Sequence, residues 1–141
     1  MDPMKEFFNR DAFAKHLGME LLEVGEGRAV TRMDVRAEHC NCHGTAHGGA
    51  IFALADFAFE AACNSHGTVA VAIHVGISFV KAAGPGPLRA EAVETSRNPK
   101  LGTYDIRVTD PAGDLVASFQ GMAYRKKDPI NWPEGGNEGN R

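Results

Sequence analysis

The chain has 141 residues, 43% of them hydrophobic, with a formal net charge of -3 and a pI near 6.0. That is the size of one ordinary domain with enough apolar residues for a core, which excludes a disordered chain. No basic block of five or more residues occurs, and phosphate binding needs clustered Lys and Arg, so nucleic acid is not an expected partner; the densest basic run, Arg125-Lys126-Lys127, reads as a strand end.

The segment from Met1 to Arg10 mixes charges with aromatics and has no apolar stretch of the kind that makes a signal peptide. Residues 10–17 read as a short amphipathic helix, with Asp11 as an early-turn acid and Gly18 as its stop. Met19 to Val24 is the first strand, Gly25-Glu26-Gly27 a turn, and 28–36 a second strand. In that second strand Ala29, Thr31, Met33 and Val35 alternate with Arg28, Arg32, Asp34 and Arg36, the period of a half-buried hairpin strand.

A loop follows over 37–46, and then 47–63 reads as the long helix. Ile51, Phe52, Leu54, Ala55, Ala58, Phe59, Ala61 and Ala62 run nearly all the way round it, which predicts a wrapped, buried helix. Residues 69–80 form a nearly continuous apolar strand, expected to be buried on both faces or to lie at an interface. With His74 inside it, this run is too short to span a bilayer. Strands at about 88–97, 102–109 and 115–125 complete the pattern, punctuated by Gly84-Pro85-Gly86-Pro87 and Asp110-Pro111-Ala112-Gly113. One domain over 1–126 and a flexible polar tail over 127–141 are expected. One buried helix against an antiparallel sheet is an α+β architecture. Three cysteines, Cys40, Cys42 and Cys63, are odd in number and suit a reduced, cytoplasmic protein.

The chemistry concentrates in 41–56. A glycine pair, Gly48-Gly49, opens the long helix, and helix starts present free N–H groups that bind and polarise oxygen atoms. Asp56 sits on the same apolar helix, where an unsatisfied carboxylate is costly. The two are eight residues apart, about 12 Å along the axis, so they do not act on one carbon within one chain. Two antiparallel copies of the helix would bring one start beside the other's Asp, and a two-fold interface would make two such sites.

The motif Asn41-x-x-Gly44-Thr45-x-His47-Gly48-Gly49, followed by Asp56, resembles that of the PaaI-like (phenylacetic acid degradation) family of hotdog-fold acyl-CoA thioesterases. Ala62-Cys63-Asn64-Ser65 and Gly102-Thr103-Tyr104-Asp105-Ile106 also look PaaI-like, and the likeness runs from about residue 10 to 125. The resemblance implies a sheet wrapped around one central helix and hydrolysis of aryl or medium-chain acyl-CoA. It gives the Gly48 N–H the task of polarising the thioester carbonyl, and Asp56 that of general base or nucleophile. Asn41 would position the water or the carbonyl, and His47 and Gly49 would shape the turn. It implies a homodimer with shared sites, paired into a homotetramer, and no cofactor beyond the coenzyme A of the substrate. Lys81, Arg97 and Lys100 are candidates for the CoA phosphates, and His74 or Ser78 for a third polar helper.

Each feature has a plainer reading. Gly48-Gly49 also suits a tight loop-to-helix turn. Asp56 also suits a structural acid bonded to backbone. Glu60 suits a second acid or, more commonly for such a position, the exposed edge of the helix; His74 reads as a core or pocket-lining histidine and Cys63 as core filler. Phe57, Phe59 and Phe79 suit either an aromatic-tolerant pocket or the core. His39, Cys40, Cys42, His43 and His47 supply zinc-ligand types, but their spacing matches no standard site, so no metal is expected. A non-catalytic acyl-CoA binding module on the same fold is the rival function, and a hotdog dehydratase a third.

Overall fold

The computed structural model describes residues 2–134. Two short helices, α1 (Pro3–Phe8) and α2 (Ala12–His16), precede the hairpin β1 (Met19–Gly25) and β2 (Arg28–Val35). The long helix α3 (Gly48–Asn64) follows, then β3 (Thr68–Phe79), β4 (Gly86–Arg97), β5 (Leu101–Thr109) and β6 (Leu115–Pro129). All six strands form one sheet in the order β1-β2-β4-β5-β6-β3, antiparallel at every junction. This is the hotdog arrangement: a curved sheet around a central helix.

The helix fills the sheet because its residues are apolar on every side. Leu54, Ala55, Ala58, Phe59, Ala61 and Ala62 are buried, and Phe59 packs its ring against Tyr104 and Phe119 at 5.5 and 5.8 Å. The alternation read in β2 holds: Ala29, Thr31, Met33 and Val35 are buried, and the Thr31 hydroxyl donates to the Leu54 carbonyl at 3.1 Å. The turn before β2 requires glycine at Gly27, whose φ is +78° and whose missing Cβ would lie 2.8 Å from Glu94.

The lower end of α3 is tied by the residues of the Ala62-Cys63-Asn64-Ser65 motif. The Asn64 carboxamide donates to the Ala70 carbonyl and accepts from the Ala70 N–H, pinning the helix end to β3. The Ser65 hydroxyl donates to the Ala62 carbonyl and accepts from the Gly27 N–H, pinning it to the β1–β2 turn.

Three expectations are corrected. Helix α1 was not read from the sequence; six residues are too few for a periodic signal, and Asp2 caps it by accepting from the Met4 N–H. The polar segment from 127 begins as strand: β6 continues to Pro129 because β3 runs beside it to Thr68. Beyond it Trp132 packs on Phe7 and Phe8 at ring distances of 5.3 and 5.7 Å, so the tail assignment fails at its start, and its remainder, 135–141, lies outside the described residues. Strand β3 is not buried on both faces. It is one of the two edge strands, opposite β1, and Val71, Ile73 and Phe79 are exposed.

Candidate active site

Helix α3 begins where the sequence places it. His47 is its N-cap, and its Nδ1 accepts from the Gly49 N–H at 2.8 Å. The Gly48 N–H has no acceptor among the described residues, and Gly48 lines a groove together with Ile51, Phe79, Val80 and Lys81. A Cβ on Gly48 would meet the Phe79 ring at 3.4 Å, an ordinary van der Waals contact, so the ring stands directly over this position.

The approach to the helix is stiffened by Asn41. Its Oδ1 accepts from the His43 and Thr45 N–H groups, and its Nδ2 donates to the Thr45 hydroxyl at 3.1 Å. The Ala46 N–H donates to the Ala83 carbonyl and the His47 N–H to the His39 carbonyl, both at 2.8 Å. The loop is therefore fixed from both sides before the first helical turn. In this chain Asn41 holds the loop that leads into the start of α3.

Asp56 lies two turns along, half-buried in a different cavity of about 270 Å³. That chamber is bounded by α2 and α3, with Phe13, Met19, Phe52 and Phe57 as apolar walls. Burial raises the Asp56 carboxyl above its ordinary value, and the charge of Asp11 adds to the effect. Glu60, at the rim of the same chamber, is pushed up to about 7 by burial of its carboxyl and by Asp11 and Asp56. Sequence reasoning recorded Asp11 as a helix-start acid and Glu60 as an exposed edge or a second acid; Glu60 is exposed and lines the same cavity as Asp56. What it missed is Asp11 beside them, since no local pattern links residue 11 to residue 56.

The other candidates separate. Lys81 is held by Asp110 at 2.7 Å and Asp114 at 2.8 Å. Arg97 contacts His66, whose Nε2 meets Glu94 at 2.7 Å, and Glu94 accepts the Tyr104 hydroxyl at 2.6 Å. Lys100 is exposed in the β4–β5 turn without a carboxylate partner among the described residues. His74 and Ser78 are exposed on β3 and point off the face opposite Val75 and Ile77, which pack on the core; within one chain neither meets Gly48 or Asp56. The three phenylalanines divide: Phe57 lines the Asp56 chamber, Phe79 covers the Gly48 groove, and Phe59 is core. Burial pushes the Cys63 thiol up to about 12, as suits core filler.

The pairing of a free N–H at a helix start with a desolvated carboxylate is the equipment of acyl transfer. The family comparison agrees. A model of the thioesterase superfamily matches residues 43–117. The chain belongs to that superfamily. Within it, the chain is 40% identical to the acyl-coenzyme A thioesterase PaaI of Escherichia coli, over 84% of this chain and 85% of that protein. The solved structure of the E. coli PaaI protein superposes with a TM-score of 0.85 at 38% identity, covering 89% of this chain and 92% of that one. A mutant form of the phenylacetic acid degradation protein PaaI from Thermus thermophilus superposes with a TM-score of 0.79 at 40% identity, covering 82% and 100%. The protein is thus a PaaI-like thioesterase enzyme. Among the described residues of this thioesterase no helix is long and apolar enough to cross a membrane. Nor do three His, Cys, Asp or Glu side chains converge as metal ligands among them.

Proposed function

We propose that this thioesterase hydrolyses the thioester of aryl or medium-chain acyl-CoA at a site shared between two subunits. The observation that carries the reading is the separation of Gly48 and Asp56 into two cavities on one helix. One chain holds the two halves of a site about 12 Å apart. A second copy, its α3 antiparallel to the first, joins each Gly48 N–H to the other subunit's Asp56.

The exposed apolar edge of β3 supports this pairing. A long unpaired edge strand is a template for a second strand, and two β3 edges related by a two-fold axis join the sheets and lay the helices side by side. Two such dimers make the homotetramer.

In the shared site the thioester carbonyl accepts from the Gly48 N–H. The partially positive helix start stabilises the tetrahedral oxyanion more than the ground-state carbonyl. Asp56, ionised and poorly solvated, either takes the proton of the attacking water and passes it to the leaving thiolate, or attacks the carbonyl carbon itself to give a mixed anhydride that water then hydrolyses, restoring the carboxylate. Coenzyme A leaves as the thiol, and no other cofactor enters the scheme. Of the three candidate cations, Lys81 and Arg97 are engaged by their own partners, which leaves Lys100 for a CoA phosphate.

The test is thiol release from a panel of aryl and straight-chain acyl-CoAs by the wild type and Asp56→Asn. Asparagine keeps the shape and removes the charge and the base. A loss of about 100-fold or more in kcat in a folded variant is the expected result. Acyl-CoA binding by the wild type without turnover on any substrate would replace this reading with the binding module.

A further inference from the structure

Helix α3 carries a carboxyl, Glu60, that the attack on the thioester does not use. It stands one turn beyond Asp56, and residues four apart on a helix are neighbours, about 5–6 Å between Cβ atoms. Glu60 lines the Asp56 chamber and two further clefts. One, of about 280 Å³, lies beneath α1 with Phe7, Phe8 and Arg10. The other, of about 490 Å³, runs toward the start of β3 and the end of β6. Asp11 is shared by the chamber and the smaller cleft. Glu60 is exposed where Asp56 is half-buried, so it stands between the reacting carboxylate and outside water.

Thioester hydrolysis makes a proton that has to leave. Acyl-CoA and water give a carboxylic acid and the coenzyme A thiol. Near pH 7 the acid ionises, so each turnover yields one proton beyond the one that the thiol keeps. The count is the same whether Asp56 acts as base or through the anhydride. The acid forms beside Asp56, among apolar walls where a second negative charge is costly. Its proton cannot rest on Asp56, because the next attack needs that carboxylate ionised.

We infer that Glu60 is the proton relay of this site, taking from Asp56 the proton of the newly formed acid and releasing it to water in the clefts beneath α1. The O–H bond of the product acid breaks as its proton passes to the Asp56 carboxylate. That proton passes on to the Glu60 carboxylate, directly or through one water, and Glu60 gives it to solvent. Both side chains return to carboxylates, and no oxidant or reductant is needed. The product carboxylate is left facing ionised Asp56, and like charge favours its departure. Asp11 holds the relay in place: its carboxylate is fixed by the Ala14 N–H at 2.9 Å and hydrogen-bonds Glu60. The charged and titratable groups facing Glu60 are Asp56 and the Cys63 thiol on its own helix, and Asp11 and Arg10 from the turn before α2. Arg10 is engaged by Glu6 at 2.8 Å, and the linings from α1, β3 and the end of β6 are uncharged. Burial, Asp11 and Asp56 raise the Glu60 carboxyl to about 7, where it both accepts and releases a proton at neutral pH. The inference rests on the shared-site thioesterase reading and adds to it the route by which the proton leaves.

The experiment follows thiol release from the best substrate of the panel by the wild type, Glu60→Gln, Glu60→Asp and Asp11→Asn. Rates are taken across the pH range around neutrality, at low and high imidazole and constant ionic strength, with the melting curve and solution mass of each variant. Glutamine keeps the size of Glu60 and cannot carry the proton; asparagine at position 11 still caps α2. The wild-type kcat is expected to rise with pH through about 7, as Glu60 becomes able to accept. Glu60→Gln should lose that limb and about 10-fold in kcat at unchanged KM, less than the loss of a base that acts on the reacting atoms. Imidazole should restore its rate. Glu60→Asp should keep part of the activity, and Asp11→Asn should move the limb to lower pH, because the charge that keeps Glu60 protonated is gone. A Glu60→Gln kcat equal to that of the wild type, a loss confined to KM, or a loss in the folded variant that imidazole does not restore overturns the inference. If Glu60→Gln does not fold, an unmoved limb in Asp11→Asn overturns it. Absence of wild-type cleavage across the panel removes the thioesterase reading and this inference together. Wild-type cleavage with a Glu60→Gln rate independent of imidazole removes this inference alone.

Discussion

At the scale of single residues, the site is defined by what surrounds Asp56. A carboxylate on an apolar helix is visible in the sequence, but its raised carboxyl comes from burial and from Asp11, which arrives from the start of another helix, while Glu60 lines the same cavity one turn further along. Glu60 has the clearest consequence. Its folded value of about 7 lies above the ordinary 4.5, so the folded protein holds that proton more tightly than the unfolded chain does. The stabilisation is complete below about pH 4.5 and is lost as pH rises through 7. Glu60→Gln removes the burden of ionisation. Between pH 5 and pH 8 its thermal stability should fall less than that of the wild type, by about 1 kcal/mol once solvent screening at the rim is allowed for. Parallel denaturation curves at the two pH values check this, and equal losses in both proteins would place the Glu60 proton elsewhere.

At the scale of elements, α3 and the strands obey the periods that the sequence displays, and close approach sets the exceptions. Gly121 on β6 lies under the Phe59 ring, and a Cβ there would stand 2.7 Å from it. Phe59 is 1% exposed and wedged between Tyr104 and Phe119, so it has no room to retreat. Gly121→Ala is therefore expected to destabilise the fold by about 1–3 kcal/mol, read as a lower urea midpoint at unchanged slope. A variant as stable as the wild type would mean that the helix shifts on the sheet without cost. The glycine was legible as a residue type. Its reason was not, because the ring it makes room for lies 62 positions earlier in the chain.

At the scale of the whole molecule, Gly48 and Asp56 of the single chain open into separate cavities, and its β3 edge is apolar and bare. The proposed shared site answers both with one partner. Ile73→Lys places a charge on the exposed edge, where Ile73 is 53% exposed and touches little within its own chain, so the subunit fold is expected to survive. Its mass in solution should fall to that of a smaller assembly, and thioester turnover should fall with it by about 100-fold or more. A monomeric variant with full activity would show that one chain suffices.

The sequence by itself determined the α+β class, the order of the main elements, the apolar helix, the helix-start glycines and the lone Asp56. These are carried by short-range patterns: a period of two in β2, an apolar run round α3, a cap beside a glycine pair. It also carried the motif by which the chain resembles its family. It left open whether the apolar run of β3 meant core or interface, since an all-apolar strand looks the same in both places. Only the tertiary structure decided that β3 is an edge, that Asn41 fixes the loop before α3, that Lys81 and Arg97 are already engaged, that Asp11 and Phe13 line one cavity with Asp56, and that Trp132 packs on α1. The physical reason is the same in each case. Such contacts join residues tens of positions apart, and they arise from how finished elements pack, which no local spacing records.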